Sequence, residues 1–135
     1  MDKPDVVWSV DDDEEMSEAV SLMLKLLGYK TRSFGEARSA AKALLGGERP
    51  ALLLLDINMP EVSGLELLEF IRSRSQFHDL PVLMLSSNAT DTEIDEAMKL
   101  GASGYLVKPI SLEELQQGIR SALGDAGKAG SQASS

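Results

Sequence analysis

Residues 52–64 read LLLLDINMPEVSG: four leucines run into an aspartate, and a turn follows at once. A strand covered on one face alternates apolar with polar residues, whereas a parallel strand covered on both is apolar throughout. Leu52 to Leu55 therefore predict an interior strand of a parallel sheet. Met59-Pro60 and Ser63-Gly64 close that strand and open a loop, which leaves Asp56 where the buried strand emerges at its carboxyl end. Ligands of open α/β sheets bind along that edge. An aspartate there can also do no more than cap the next loop, and Asp56 alone does not separate the two readings.

Working outward, further strand-like segments are Val6 to Val10, Val82 to Leu85 and Tyr105 to Val107, with a more polar segment, Tyr29 to Phe34, suited to a sheet edge. Helical spacing lies between them. Met16, Ala19, Val20, Met23 and Leu27 form one apolar stripe, stopped by Gly28. Ala37, Ala40, Ala41, Leu44 and Leu45 form a second, ended by Gly46-Gly47; Leu67, Phe70 and Ile71 mark a third. Ile94, Ala97 and Met98 mark a fourth helix, and Leu112, Leu115, Ile119 and Leu123 a fifth. Ser33/Glu36, Ser63/Glu66, Thr90/Glu93 and Ser111/Glu114 each have the spacing of a capping box at a helix start. A strand followed by a helix, five times over, predicts a parallel sheet covered on both faces by right-handed crossovers. The chain is too short for an eight-stranded barrel, so the expected fold is a doubly wound five-stranded α/β sheet of strand order 2-1-3-4-5.

With 135 residues, 43% of them hydrophobic, the chain fits one domain with a real core. Residues 1–123 form that expected domain. Nine of the twelve residues from Gly124 to Ser135 are Gly, Ala or Ser, the composition of a flexible tail or the start of a linker. Cysteine is absent, which excludes disulfides and thiolate metal sites, and a net charge of −9 opposes direct binding to nucleic acid or anionic lipid. No apolar run reaches the roughly 20 residues of a membrane span, and a cytoplasmic location is expected.

Five parallel strands would bring the residues just past their carboxyl ends to one rim: Asp11-Asp12-Asp13, Asp56, Ser86-Ser87 and Lys108-Pro109. Clustered carboxylates repel one another, and protonation or a cation relieves them. An all-oxygen cluster open to water suits Mg²⁺. Asp13, Glu14 and Glu15 also fit the first turn of a helix, where the helix dipole favours negative charge.

Asp11-Asp12 after the first strand, LLDINMP around Asp56, MLSS with Ser86 and GYLVKP with Lys108 resemble the receiver domain of two-component response regulators. The resemblance spans residues ~5 to ~123 with its motifs in order on the five-fold strand–helix pattern. It implies the flavodoxin-like fold and a signalling switch rather than an enzyme acting on a separate substrate. Asp56 would accept a phosphoryl group from a phosphohistidine on a sensor histidine kinase or a histidine phosphotransfer protein. Mg²⁺ would be held by Asp11, Asp12, Asp56 and the backbone carbonyl of Asn58. Ser86 and Lys108 would bind the phosphoryl oxygens, Tyr105 would be the switch aromatic, and Asn58 and Asn88 would tune the lifetime of the product. The bond between Lys108 and Pro109 would be cis. The face made by the fourth helix, fifth strand and fifth helix would shift to regulate an output domain or downstream protein, and offers a dimer surface.

Rival readings are weaker on the same residues. An aspartyl-phosphate phosphatase carries a second aspartate two residues after the nucleophile, where this chain has Asn58, and it needs a cap. A flavin-binding module needs a phosphate-cradling loop after the first strand, where DDDEE would repel the ligand. A degenerate receiver would be expected to lack Asp56 or Lys108. The single histidine, His78, falls in a polar loop and is expected on the surface.

Overall fold

A computed structural model describes residues 5–88 and 90–124. The elements run β1 (Val6–Val10), α1 (Glu14–Leu26), β2 (Lys30–Phe34), α2 (Ala37–Leu45), β3 (Leu52–Asp56), α3 (Gly64–Ser73), a 3₁₀ turn (Ser75–Phe77), β4 (Val82–Ser86), α4 (Asp91–Lys99), β5 (Gly104–Val107) and α5 (Leu112–Leu123). All strand pairings are parallel, in the order β2-β1-β3-β4-β5. This is the doubly wound topology expected from the sequence. Apart from Gly124, the segment 124–135 lies outside the described residues. Among the described residues, no helix is long and apolar enough to cross a membrane.

The leucine run is interior because consecutive side chains feed two different cores. Leu53 and Leu55 join Trp8, Val82 and Met84 on the face covered by α2, α3 and α4. Leu52 and Leu54 join Val7, Leu83 and Leu85 under α1 and α5. Alternation is present in space while invisible in the letters. All four leucines are fully buried, and each is worth about 2 kcal/mol of hydrophobic stabilisation.

The polar segment is an edge strand, as expected, but β2 begins at Lys30 instead of Tyr29. The Tyr29 amide turns back to donate to the Leu24 carbonyl at 3.0 Å, closing α1 over Gly28, whose φ is 96°. The Ser63/Glu66 and Ser111/Glu114 capping boxes close in both directions. Ser33/Glu36 does not form one: Ser33 remains within β2, its hydroxyl facing Ser21 at 3.3 Å, and Glu36 caps α2 without a side-chain bond. Thr90 accepts from the Glu93 amide, but the Glu93 carboxylate goes elsewhere.

Gly64 lets α3 start hard against the end of β3. A Cβ there would lie 2.2 Å from the Asp56 carbonyl oxygen, so any side chain would push the helix and Asp56 apart.

Candidate functional site

The backbone ladder continues past the strands and fixes the rim. Asp11 donates its amide to the Phe34 carbonyl at 3.0 Å, Ile57 to Leu85 at 2.9 Å and Lys108 to Ser86 at 2.8 Å. Side chains from residues up to 97 apart in the chain are thereby delivered to one place. Lys108 Nζ lies 3.1 Å from Asp11 Oδ2 and 3.2 Å from Asp56 Oδ1. Carboxylate oxygens of Asp11, Asp12 and Asp56 all lie within 4.8 Å of one another. Asp11 and Asp56 are each only 4% exposed, whereas Asp12 is open to solvent. The Lys108–Pro109 bond is cis.

Burial, and then the charge of Asp11, push the Asp56 carboxyl up to about 6, against the pull of Lys108 and the Asn58 amide. Burial opposes the charge on Lys108, but the two carboxylates outweigh it and raise the ammonium above its ordinary value. One cation thus serves two buried carboxylates, with a third beside them. The cluster carries excess negative charge and presents only hard oxygen ligands, one of them reachable from solvent. That donor set fits Mg²⁺, which keeps several of its waters.

Asn58 links Asp56 to a second group. Ser86 is fully buried; its hydroxyl accepts from the Asn88 amide at 3.0 Å and donates to Glu93 Oε1 at 2.9 Å. The Tyr105 hydroxyl donates to the same Glu93 oxygen at 2.6 Å. Asn58 and Asn88 are exposed; the Asn58 amide approaches Asp56 Oδ1 at 3.4 Å, and its side-chain oxygen lies 3.5 Å from Ser86 Oγ. The structure therefore brings together Asp11, Asp12, Asp56, Asn58, Ser86 and Lys108. It places Asn88 beside Ser86, and Tyr105 one hydrogen bond beyond it, through Glu93. Asp13 takes the role left open for it, capping α1 through the amides of Glu15 and Met16. His78 is exposed. Sequence reasoning gave Glu93 only a capping role, since Thr-x-x-Glu is identical in form to the two boxes that do close.

Residues 7–120 match the family model described as the response regulator receiver domain. The chain is 32% identical over 116 residues to the chemotaxis protein CheY1 of Helicobacter pylori, covering 85% of this chain and 94% of that protein. It is 33% identical over 116 residues to the protein RcaC of Microchaete diplosiphon, covering 86% of this chain but only 18% of that longer protein. Among solved structures, the chemotaxis protein CheY4 of Vibrio cholerae superposes with a TM-score of 0.81 at 31% identity, covering 89% of this chain and 99% of that one.

Proposed function

Since this chain belongs to the response regulator receiver domain family and so to phosphorylation-controlled signalling, we propose that Asp56 is its phosphoryl acceptor and that a partner phosphohistidine is the donor. The observation that carries this reading is the buried Asp56 carboxylate flanked by two further carboxylates and by the Lys108 ammonium. A carboxylate needs no base to become a nucleophile at neutral pH. The obstacle is one anion approaching another. Asp11, Asp12, Asp56 and the Asn58 carbonyl would hold Mg²⁺, which when bound would supply positive charge to offset that repulsion. Lys108 would offset more of it.

In the transfer, the phosphorus–nitrogen bond of the donor breaks with its electrons going to nitrogen, as an Asp56 oxygen bonds to phosphorus. Hydrolysis later returns the carboxylate and inorganic phosphate, with Asn58 and Asn88 at the rim where water must pass. The product adds close to two negative charges and three acceptor oxygens. The Ser86 hydroxyl would turn to one of those oxygens, and Tyr105 would follow, shifting the α4-β5-α5 face. Partners of this switch would be a sensor histidine kinase or phosphotransfer protein on the input side and an output domain or downstream protein on the other, in the cytoplasm. The segment 124–135 would serve as tail or linker, and the same face would carry any dimer contact.

Millimolar Mg²⁺ is expected to raise the melting temperature by several degrees in the wild type, because the folded state alone assembles the carboxylates. Asp12→Asn should remove most of that gain. Phosphoryl uptake from phosphoramidate should likewise need the cation, so uptake undiminished in a chelator would overturn the reading.

A further inference from the structure

We infer that Glu93 is a positioning residue with two alternative uses, and that in the resting protein it competes with the phosphoryl group for the one proton of the Ser86 hydroxyl. This rests on Asp56 being the phosphoryl acceptor. Three helices begin with the same signature, and two of them define what its glutamate ordinarily does. Glu66 Oε1 accepts from the Ser63 amide at 2.8 Å, and Glu114 Oε1 accepts from the Ser111 amide at 3.0 Å. Glu93 occupies the equivalent third position of α4, and Thr90 accepts its amide as in the other two. Yet its carboxylate is diverted to Ser86 and Tyr105, while the Thr90 amide donates to the Asn88 carbonyl at 3.0 Å.

Ser86 has a single proton to give, and it gives it to Glu93. A phosphoryl oxygen on Asp56 can receive that proton only if Glu93 loses it. Glu93 then keeps Tyr105 alone, and the Thr90 amide that would complete its capping box, now bonded to the Asn88 carbonyl, is at the start of the same helix. Closing that box would exchange the Asn88 carbonyl for a charged acceptor on the Thr90 amide and release Tyr105, so α4 carries two arrangements of one side chain that differ by few contacts. The ligand that biases the choice is the phosphoryl group. Burial, and then the Glu93 carboxylate, raise the Tyr105 phenol above its ordinary value, consistent with a held hydroxyl.

The test uses full chain carrying ¹³C-labelled tyrosine, with the Tyr105 signal identified by its loss in Tyr105→Phe. Glu93→Ala removes the acceptor; Glu93→Asp keeps the charge but withdraws the carboxylate by one methylene, and it guards against a folding failure of the alanine variant. Without any phosphodonor, both should move the Tyr105 Cζ resonance by the same sign. With phosphoramidate and Mg²⁺, both should gain the phosphoryl mass about tenfold faster than wild type, the fold expected for releasing one charge-assisted hydrogen bond. In the wild type, phosphorylation should move the Tyr105 signal toward its position in the variants and slow exchange of the Thr90 amide. A Tyr105 resonance unchanged in Glu93→Asp would overturn the positioning role. Mass gain at equal rates in all three proteins would overturn the competition alone. No mass gain in any of them would overturn the phosphoacceptor reading and the competition together, while the resting Tyr105 signal still judges the contacts.

Discussion

Lys108→Met will lower the stability of the cation-free protein by about 3 kcal/mol near neutral pH, a fall of about 10 °C in melting temperature. The ammonium is the shared partner of Asp11 and Asp56, both almost wholly buried. Methionine fills the same space but leaves two like charges in a poorly solvated site. Protonation is the escape, so the penalty should shrink as pH falls and Asp56 takes up a proton. The variant should also bind Mg²⁺ more tightly, since a competitor for the same oxygens is gone. Urea unfolding in chelator, with and without added Mg²⁺, checks both halves. A variant as stable as wild type at neutral pH would mean that the ammonium does not offset the carboxylates.

Asp56→Asn should have the opposite effect. The Asp56 carboxyl is raised from its ordinary value of 3.8 to about 6 by burial and by Asp11. Between those two values the folded protein binds more protons than the unfolded chain, so stability declines as pH climbs through that interval. Above it the loss is complete, and at neutral pH it amounts to at most about 3 kcal/mol. Asparagine is neutral throughout. The variant should therefore be more stable than wild type at neutral pH without cation, with a flatter profile from about pH 4 to about pH 7. Denaturation midpoints across that range provide the measurement. A wild-type midpoint that rises with pH over this interval would contradict the assigned sign.

Both effects grow from a site whose members are far apart in the chain, and the reason it was legible lies in the strands. Leu52 to Leu55 could be read as doubly buried because no polar residue interrupts them, and a parallel sheet then dictates that Asp11, Asp56, Ser86 and Lys108 share one rim. The edge position of β2 was readable from its polar letters, as only Phe34 at its end is buried. What failed was local and geometric. The spacing Ser33/Glu36 satisfies the capping signature, but the ladder holds Ser33 in a strand, and pairing with β1 outweighs one capping bond. Tyr29 has strong strand propensity, yet its amide is used to finish α1. Glu93 is the instructive case. Its letters match Glu66 and Glu114, and only the three-dimensional nearness of two hydroxyls on β4 and β5 draws its carboxylate away.

The most direct measurement is intact mass after incubation with phosphoramidate and Mg²⁺, in wild type and in Asp56→Asn. The expected result is one phosphoryl group on the wild type, labile in base, located at Asp56, and absent from the variant. Equal phosphorylation of the two proteins, or none of the wild type, would contradict the proposal that the carboxylate at the end of β3 is the acceptor.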